Sequence, residues 1–170
     1  DAARRDLAVL GYTKGVPMGS DLKGAPDGKA PSFLVYALRD PIGANLDRIQ
    51  IIKGWIDADG KPQEKVYDVV WSDDREPGTD GKVPPVGDTV DLSIPSWTNT
   101  IGAPDLGTVW TDPAFDPYVR AFYYARVIEF PTPRWTAYDA AKFDLKLPDK
   151  VVLKGQERAY TSPIWYSPKG

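Results

Sequence analysis

The 170-residue sequence contains no cysteine and no histidine. These absences exclude disulfide bonds and remove the commonest zinc ligands, cysteine nucleophiles and the usual general base of enzymes. Carboxylates alone could still bind a hard cation, because calcium and magnesium prefer oxygen ligands. The sequence therefore predicts no catalytic, cofactor-binding or metal-binding residue in this chain.

Other signals of function are also missing. No apolar run approaches the roughly 18 residues that span a bilayer, so no membrane span is expected. The net charge is −3 and no long basic run occurs, so nucleic acid is not an expected partner. Phosphate-loop, nucleophile-elbow and dinucleotide motifs are absent. Residues 1–5 lack the apolar segment of a signal peptide, but a signal peptide further upstream would permit a periplasmic or secreted location.

The composition favours a β-rich globular domain. Hydrophobic residues make up 42% and charged residues 26%, which is the balance of an ordinary folded domain. The 17 prolines and 15 glycines favour short strands joined by many turns. Strands do not alternate with helices, so a parallel sheet with crossover helices is not expected. The predicted fold is mainly β, an antiparallel β-sandwich with long loops, an irregular N-terminal arm and at most one or two short helices.

The strand pattern is clearest around a hairpin. Two strand-like segments, 46–56 and 64–71, flank the Asp/Gly-rich residues 57–60, which is typical of a hairpin loop. In the first segment Ile49, Ile51 and Trp55 share one face. Further strands are predicted over 32–38, 89–94, 121–130 and 158–166, the last at a sheet edge because Pro163 interrupts it, and a short helix over 137–143.

Two regions are predicted along the chain. Residues 1–31 contain many glycine and proline breaks and are interpreted as an extended arm or interdomain linker. Residues 32–170 form the sandwich domain, with an exposed loop over 73–88. The arm has five apolar residues that could anchor it on a surface: Leu7, Leu10, Tyr12, Val16 and Met18.

Two acidic segments are candidates for metal or substrate binding. Asp57-Ala58-Asp59-Gly60 resembles the opening of a calcium loop, but position 68, where the loop needs Glu, is Asp. A hairpin turn is therefore the favoured interpretation. The run Ser72-Asp73-Asp74-Arg75-Glu76 offers carboxylates, but a solvated loop is favoured because such charges are mostly exposed.

Charged residues also occur inside apolar strands: Asp47, Arg48 and Arg126. An inward-pointing Arg126 needs a carboxylate partner, and such a pair is more often structural than catalytic. Two carboxylates placed in strands could serve acid–base chemistry, but nothing in the spacing selects a pair.

Six tryptophans could form a stacking platform for a sugar or an aromatic compound. The favoured interpretation is core packing, because each indole buries a large area. The residues are Trp55, Trp71, Trp97, Trp110, Trp135 and Trp165.

Several strings, taken together, resemble a known family. They are GVPMGSDL (15–22), ANLDRIQIIKGW (44–55), EKVYDV (64–69), AFYYARV (121–127), PTPRWT (131–136) and QERAYTSPIWY (156–166). Their order resembles the C-terminal region of the bacterial domain-of-unknown-function 3604 family. The resemblance implies a larger protein whose upstream domain is similar to the polymerase-and-histidinol-phosphatase metallohydrolases. No motif of that domain matches a position here, so no metal ligand is carried over.

Three functions follow as hypotheses. The leading one is a non-catalytic C-terminal accessory domain that packs on an absent catalytic domain, which would hold any divalent metal. The alternative is a ligand-binding sandwich whose surface aromatics stack on a carbohydrate or aromatic ligand. An independent enzyme that uses carboxylates alone ranks last. The accessory hypothesis predicts an exposed aromatic–aliphatic patch near the arm, which could also pair two copies as a homodimer.

Overall fold

The computed structural model describes residues 9, 11–25 and 28–168. Within them the backbone forms a helical turn over residues 11–14, a helix over Trp135–Phe143, and ten strands. The strands are β1 (Asp21–Lys23), β2 (Ser32–Leu38), β3 (Leu46–Ile56), β4 (Pro62–Trp71), β5 (Asp105–Thr111), β6 (Ala121–Glu129), β7 (Thr132–Pro133), β8 (Lys154–Gly155), β9 (Arg158–Tyr160) and β10 (Ile164–Ser167).

The larger sheet is built around β3. This strand pairs antiparallel with β4 on one side and with β6 on the other. The far edge of β6 pairs with β10 at one end and with β9 at the other, and β1 lies beyond β10. Residues 46–49 and 51–54 of β3 are all buried, because both faces of this central strand are covered. The predicted hairpin of β3 and β4 is confirmed.

A second sheet, the two-stranded ribbon β2–β5, packs on one face of the larger sheet, which we call the inner face. The ribbon contributes Phe33 and Leu106 to a core that the larger sheet completes with Ile49, Ile51 and Tyr123. The rings of Phe33 and Tyr123 have centroids 4.5 Å apart. The fold is thus mainly β and sandwich-like, as the sequence predicted. β7 and β8 form a separate two-stranded pair.

Part of the predicted arm belongs to the larger sheet. β1 lies within residues 1–31, pairs in parallel with β10, and packs Leu22 against the core. Val16 is partly buried, whereas Tyr12 and Met18 are exposed, which does not fit a role as anchors. The other suggested anchors, Leu7 and Leu10, lie outside the described residues. The division of the chain at residue 31 stays a prediction.

The predicted strand over 89–94 is wrong. This segment is a turn, in which Oδ1 of Asp91 accepts hydrogen bonds from the backbone N–H and the hydroxyl of Ser93, at 2.8 and 2.6 Å. The local side-chain bonds replace strand pairing, although the residues alternate like a strand. The structure instead forms β5, a strand in a region where the sequence shows mainly turn signals.

The C-terminal segment is divided rather than continuous. β9 and β10 flank Pro163, which lies outside both strands, so its missing N–H interrupts neither ladder. β10 lies between β1 and β6, so the predicted edge position is wrong for this strand. β9 pairs only with β6 among the described strands. The predicted helix over 137–143 is confirmed and begins two residues earlier, at Trp135.

Candidate functional site

The Asp57–Gly60 segment is a hairpin turn. Oδ1 of Asp57 accepts hydrogen bonds from the backbone N–H groups of Asp59 and Lys61, at 3.0 and 2.8 Å. Its Oδ2 accepts a bond from Nε2 of Gln63 at 2.7 Å. The Lys61 bond is the main cause that lowers the pKa of Asp57. Both carboxylate oxygens therefore serve the turn, as the favoured interpretation predicted, and Gly60 supplies a φ of 76°.

Four buried or partly buried side chains form an ionic group near the start of β3. We call Asp47, Arg48, Asp68 and Arg75 the Arg48 cluster. The guanidinium of Arg48 lies between two carboxylates, 3.2 Å from Oδ1 of Asp47 and 3.0 Å from Oδ2 of Asp68. Nη1 of Arg75 donates to Oδ1 of Asp47 at 2.7 Å. The positive and negative charges are balanced, which buried ions require.

A β-bulge explains how the neighbours Asp47 and Arg48 can belong to one ionic group. Across the β3–β6 ladder Leu46 pairs with Glu129 and Arg48 pairs with Ile128, so Asp47 has no opposite residue. An extra residue of this kind bends the strand and redirects side chains. Strict alternation would have placed one of the two neighbours on each face.

A loop seals the Arg48 cluster from solvent. Arg48 donates to the carbonyl oxygens of Val83 and Pro84, and the Val83 N–H donates to Oδ2 of Asp68 at 2.8 Å. Val83 is only 3% exposed. The prediction that residues 73–88 form an exposed loop is therefore wrong at Val83, which closes the cluster.

The charged run 72–76 is divided between this cluster and solvent. Ser72 is buried and Arg75 is turned inward, where its guanidinium donates to the backbone oxygens of Asp47 and Ser72. The other three residues of the run are exposed. A wholly solvated loop is thus the wrong interpretation for Ser72 and Arg75, because the carboxylate of Asp47 needs a second cation.

Arg126 reaches a carboxylate through an amide. Its Nε donates to Oε1 of Gln50 at 2.7 Å, and Nε2 of Gln50 donates to Oδ1 of Asp68 at 2.6 Å. These bonds join β6, β3 and β4 on the outer face of the larger sheet, opposite the ribbon. Arg126 thus lies on the outer face, so the carboxylate partner predicted for an inward-pointing Arg126 is not required.

The tryptophans divide into two groups. Four are partly buried, which fits core packing: Trp55, Trp71, Trp97 and Trp110. The other two, Trp135 and Trp165, are 67% and 49% exposed.

Trp165 ends a line of four rings on the outer face, which we call the aromatic row: Trp165, Phe122, Tyr124 and Tyr160. Consecutive ring centroids are 5.2, 6.3 and 6.4 Å apart. Phe122 lies over Gly54, where a Cβ would come within 2.2 Å of the ring. The exposed end rings are tilted by 50° and 42° against their inner neighbours, so they do not form one flat platform.

A second buried ion pair lies on the inner face near the hairpin. Nζ of Lys53 is 2.6 Å from Oδ2 of Asp112, and both residues are buried. The hydroxyl of Tyr123 donates to the same Oδ2 at 2.8 Å, and Nζ donates to the carbonyl oxygen of Ala114 at 2.7 Å. A cavity of about 280 Å³ opens beside these groups and is also lined by Trp55. We call this cavity the Lys53 pocket.

Tyr67 lines the Lys53 pocket, and its buried hydroxyl has no hydrogen-bond partner within the described chain. The Tyr67 ring lies 4.8 Å from that of Trp110, and Nζ of Lys65 is 4.9 Å from its centroid. Burial raises the pKa of Tyr67, and the charge of Asp112 raises it further. Burial also raises the pKa of Tyr123, with its hydrogen bond to Asp112 next in effect. Both phenols are therefore protonated at neutral pH.

Four exposed apolar side chains lie on the outward side of the β2–β5 ribbon. We call Leu34, Tyr36, Leu38 and Val109 the ribbon face; they are 42%, 52%, 68% and 60% exposed. Leu34 lies directly opposite Val109 in the ladder, so their side chains are neighbours. Side chains alternate along β2, so Phe33 points inward and is buried, whereas Leu34, Tyr36 and Leu38 point outward.

A cavity of about 720 Å³ is lined by residues of the N-terminal segment, the ribbon and the larger sheet. Its described lining includes Val16, Leu34, Tyr36 and Ile51. The N-terminal segment therefore lies near Leu34 and Tyr36 of the ribbon.

Within the described residues no group of three or more acidic side chains could hold a metal ion. No helix in the described ranges combines the length and the apolar character that crossing a bilayer requires.

Sequence reasoning missed the Lys53 pocket. The alternation that puts Ile51 and Trp55 on the inner face also puts Lys53 there, and a lysine at a core-facing position was the available signal. Its partner Asp112 is in a region of turn signals, Asp112-Pro113, 59 positions further along the chain.

These features define a β-sandwich protein with two buried ionic groups and an uncovered apolar face. The family model described as "Protein of unknown function (DUF3604)" matches residues 1–168, and the chain belongs to that family. No curated protein and no solved structure matches the chain.

Proposed function

We propose that this chain is a non-catalytic C-terminal accessory domain of a metal-dependent hydrolase. It packs on an upstream catalytic domain of the same polypeptide and shapes access to the site of that domain, which holds any divalent metal. The observation that carries the proposal is the ribbon face. A bare apolar sheet face marks a surface that another domain or partner covers.

The composition of the ribbon face supports an interdomain contact. Its four members are apolar or aromatic, and the ladder places Asp105, Ser32 and Thr111 around them on the same side of the ribbon. An exposed apolar patch with polar residues at its rim is typical of a surface that another domain or partner covers. The contact between Leu34 and Val109 makes part of the face continuous across the two strands.

The path of the chain supports an occupant from the same polypeptide. Residues 11–18 line the cavity that also touches Leu34 and Tyr36. A domain joined to the N-terminal side of this segment is tethered beside the ribbon face. Tethering raises the effective concentration of such a domain, so a modest apolar contact suffices for docking.

Amide exchange tests the proposal by comparing this chain alone with the complete polypeptide. Docking should slow exchange in β2 and β5 of the complete protein. Leu38→Glu should abolish this added protection, while it destabilises the isolated chain by no more than about 1 kcal/mol, since Leu38 is exposed and the new carboxylate faces Asp105 across the ladder. Ile56→Glu, at an exposed position in the hairpin, is the matched control.

Equal exchange of β2 and β5 in both proteins would refute docking at the ribbon face. Concentration-dependent protection of the isolated chain, lost in Leu38→Glu, would instead show that a second copy covers the face as a homodimer.

The aromatic row supports a second candidate, the binding of a carbohydrate or aromatic ligand. Trp165 and Tyr160 expose ring surface at its two ends, and such rings stack on apolar sugar faces. Trp165→Ala should abolish binding of a soluble oligosaccharide measured by calorimetry, with Trp135→Ala as control. Unchanged oligosaccharide binding in Trp165→Ala would show that the aromatic row is not the binding site.

A further inference from the structure

We infer that the Lys53 pocket binds a small organic carboxylate with an apolar body, of the kind represented by an aromatic monocarboxylate. The pocket shares no residue with the ribbon face, so the ligand site is independent of the proposed accessory role. Four observations carry the inference: unused hydrogen-bond donors, occupied acceptors, apolar walls and a second ammonium at the pocket.

Some hydrogen-bond donors at the pocket have no acceptor within the described chain. The ammonium of Lys53 has three hydrogens, and the described chain supplies two acceptors, on Asp112 and Ala114. The Tyr67 hydroxyl is buried and has no partner there. An unsatisfied buried polar group is costly, so a bound acceptor stabilises this arrangement.

The acceptors of the interior are already mostly occupied. Oδ2 of Asp112 accepts from Lys53 and Tyr123, and Oδ1 accepts from the backbone N–H of Ala114 at 2.9 Å. Three of the roughly four acceptor positions of the Asp112 carboxylate are therefore taken, which leaves little acceptor capacity for a ligand that brings its own protons, such as a sugar hydroxyl or an ammonium. A carboxylate brings only acceptors and matches the unused donors.

Three charged side chains line the pocket, and two of them are cationic: Lys53, Lys65 and Asp116. Lys65 lines it with a second ammonium, placed 4.9 Å from the Tyr67 ring centroid. The carboxylate of Asp112 is neutralised by Lys53 at 2.6 Å. Asp116 at the wall disfavours a multiply charged anion such as phosphate, which leaves a monoanion as the best match.

The walls of the pocket suit an apolar body. Trp55, Val119 and Ala121 line it together with the ring of Tyr67. A pocket with mainly apolar walls and a few fixed polar groups is the usual form of a small-molecule site. The volume of about 280 Å³ limits the ligand to roughly one aromatic ring with its carboxylate.

Benzoate is the probe, with benzyl alcohol and acetate as partial analogues. Titration of the protein should shift the indole N–H resonance of Trp55 and saturate with a Kd of about 1 mM or tighter. Benzyl alcohol lacks the carboxylate and acetate lacks the ring. Each should bind at least about tenfold more weakly, since each loses one half of the recognition.

Tyr67→Phe is the decisive variant because it removes only the unpartnered hydroxyl. It should weaken benzoate binding at least about tenfold while the unfolding midpoint is unchanged or raised. Tyr160→Phe, on the outer face, is the matched control and should bind benzoate like the parent. Lys65→Met should weaken benzoate more than benzyl alcohol, which reports the contribution of charge.

Three binding results would overturn the inference. They are the absence of saturable benzoate binding, equal affinity for benzoate and benzyl alcohol, and unchanged benzoate affinity in Tyr67→Phe. A large drop in the unfolding midpoint of Tyr67→Phe would likewise count against it, because it would show that the hydroxyl already has a partner inside the protein.

Discussion

The Arg48 cluster and the Lys53 pocket place buried charge on opposite faces of the same strand, β3. In the Arg48 cluster two cations meet two carboxylates, carbonyl oxygens take further guanidinium hydrogens, and Val83 seals the group. In the Lys53 pocket one ion pair is satisfied, but Tyr67 is not, and a cavity adjoins it. The Arg48 cluster, in which hydrogen-bond donors and acceptors balance, therefore fits a structural role. The Lys53 pocket, in which donors exceed acceptors, is suited to a ligand that brings acceptors.

The largest expected effect comes from breaking the balanced group. Arg48→Met leaves Asp47 and Asp68 buried with too little positive charge. The free energy of unfolding should fall by about 3–5 kcal/mol, the usual loss when one partner of a buried pair is removed. Urea denaturation measures this change, with the exposed Arg158→Met as control. A loss no larger than that of the control would show that water already reaches the cluster.

A somewhat smaller effect is expected at the other group. Lys53→Met leaves Asp112 without its cation, but the adjoining cavity can admit water, so the loss should be about 2–4 kcal/mol. The double variant Lys53→Met/Asp112→Asn should recover part of it, because no uncompensated charge is then buried. Urea denaturation of the parent, the two single variants and the double variant gives the coupling free energy between Lys53 and Asp112. Strictly additive losses would contradict an ion pair between the two residues.

The smallest effect concerns Glu129, a partly buried carboxylate that forms no salt bridge within the described part of the chain. Glu129 ends β6 opposite Leu46, and burial raises its pKa above the ordinary value of 4.5, although the Ala44 N–H opposes this. The folded protein therefore binds the proton of the Glu129 carboxyl more tightly than the unfolded chain does. Protonation of Glu129 stabilises the fold fully below about pH 4.5, and this stabilisation is lost as the pH rises through the folded-state pKa.

Glu129→Gln should therefore be more stable than the parent at neutral pH, by less than about 1 kcal/mol given solvent screening. Thermal unfolding across this pH range measures the difference, which should shrink as the pH falls. A constant difference at all pH values would show that the pKa of Glu129 is not raised in the folded protein.

The sequence predicted the long strands because their signals are local. β2, β3, β4 and β6 are runs of apolar and β-branched residues with turn residues around them, and such patterns do not depend on a distant partner. β5, with the sequence DLGTVWT, contains Gly107 and follows turn signals, so its strand character comes from pairing with β2. The shortest strands exist only because a neighbouring strand supplies their hydrogen bonds.

The candidate sites were harder to predict than the fold because they depend on distant pairs. Lys53 meets Asp112, and Arg48 meets Val83, only after the sheet has brought loops together. The bulge at Asp47 further breaks the alternation on which an inside–outside assignment rests. The Asp57 turn was predictable since all its bonds lie within a few residues.

The parallel pairing of β1 with β10 has a mechanical consequence. Ser20 accepts a backbone bond from Trp165 at one end of the pair, and Gly24 donates one to Ser167 at the other end. Tension that pulls the N-terminal side of β1 away from the C-terminal side of β10 acts along the strands and loads all these bonds together in shear. They must then break almost simultaneously rather than one after another, so this pair acts as a clamp against force applied through the ends of the domain.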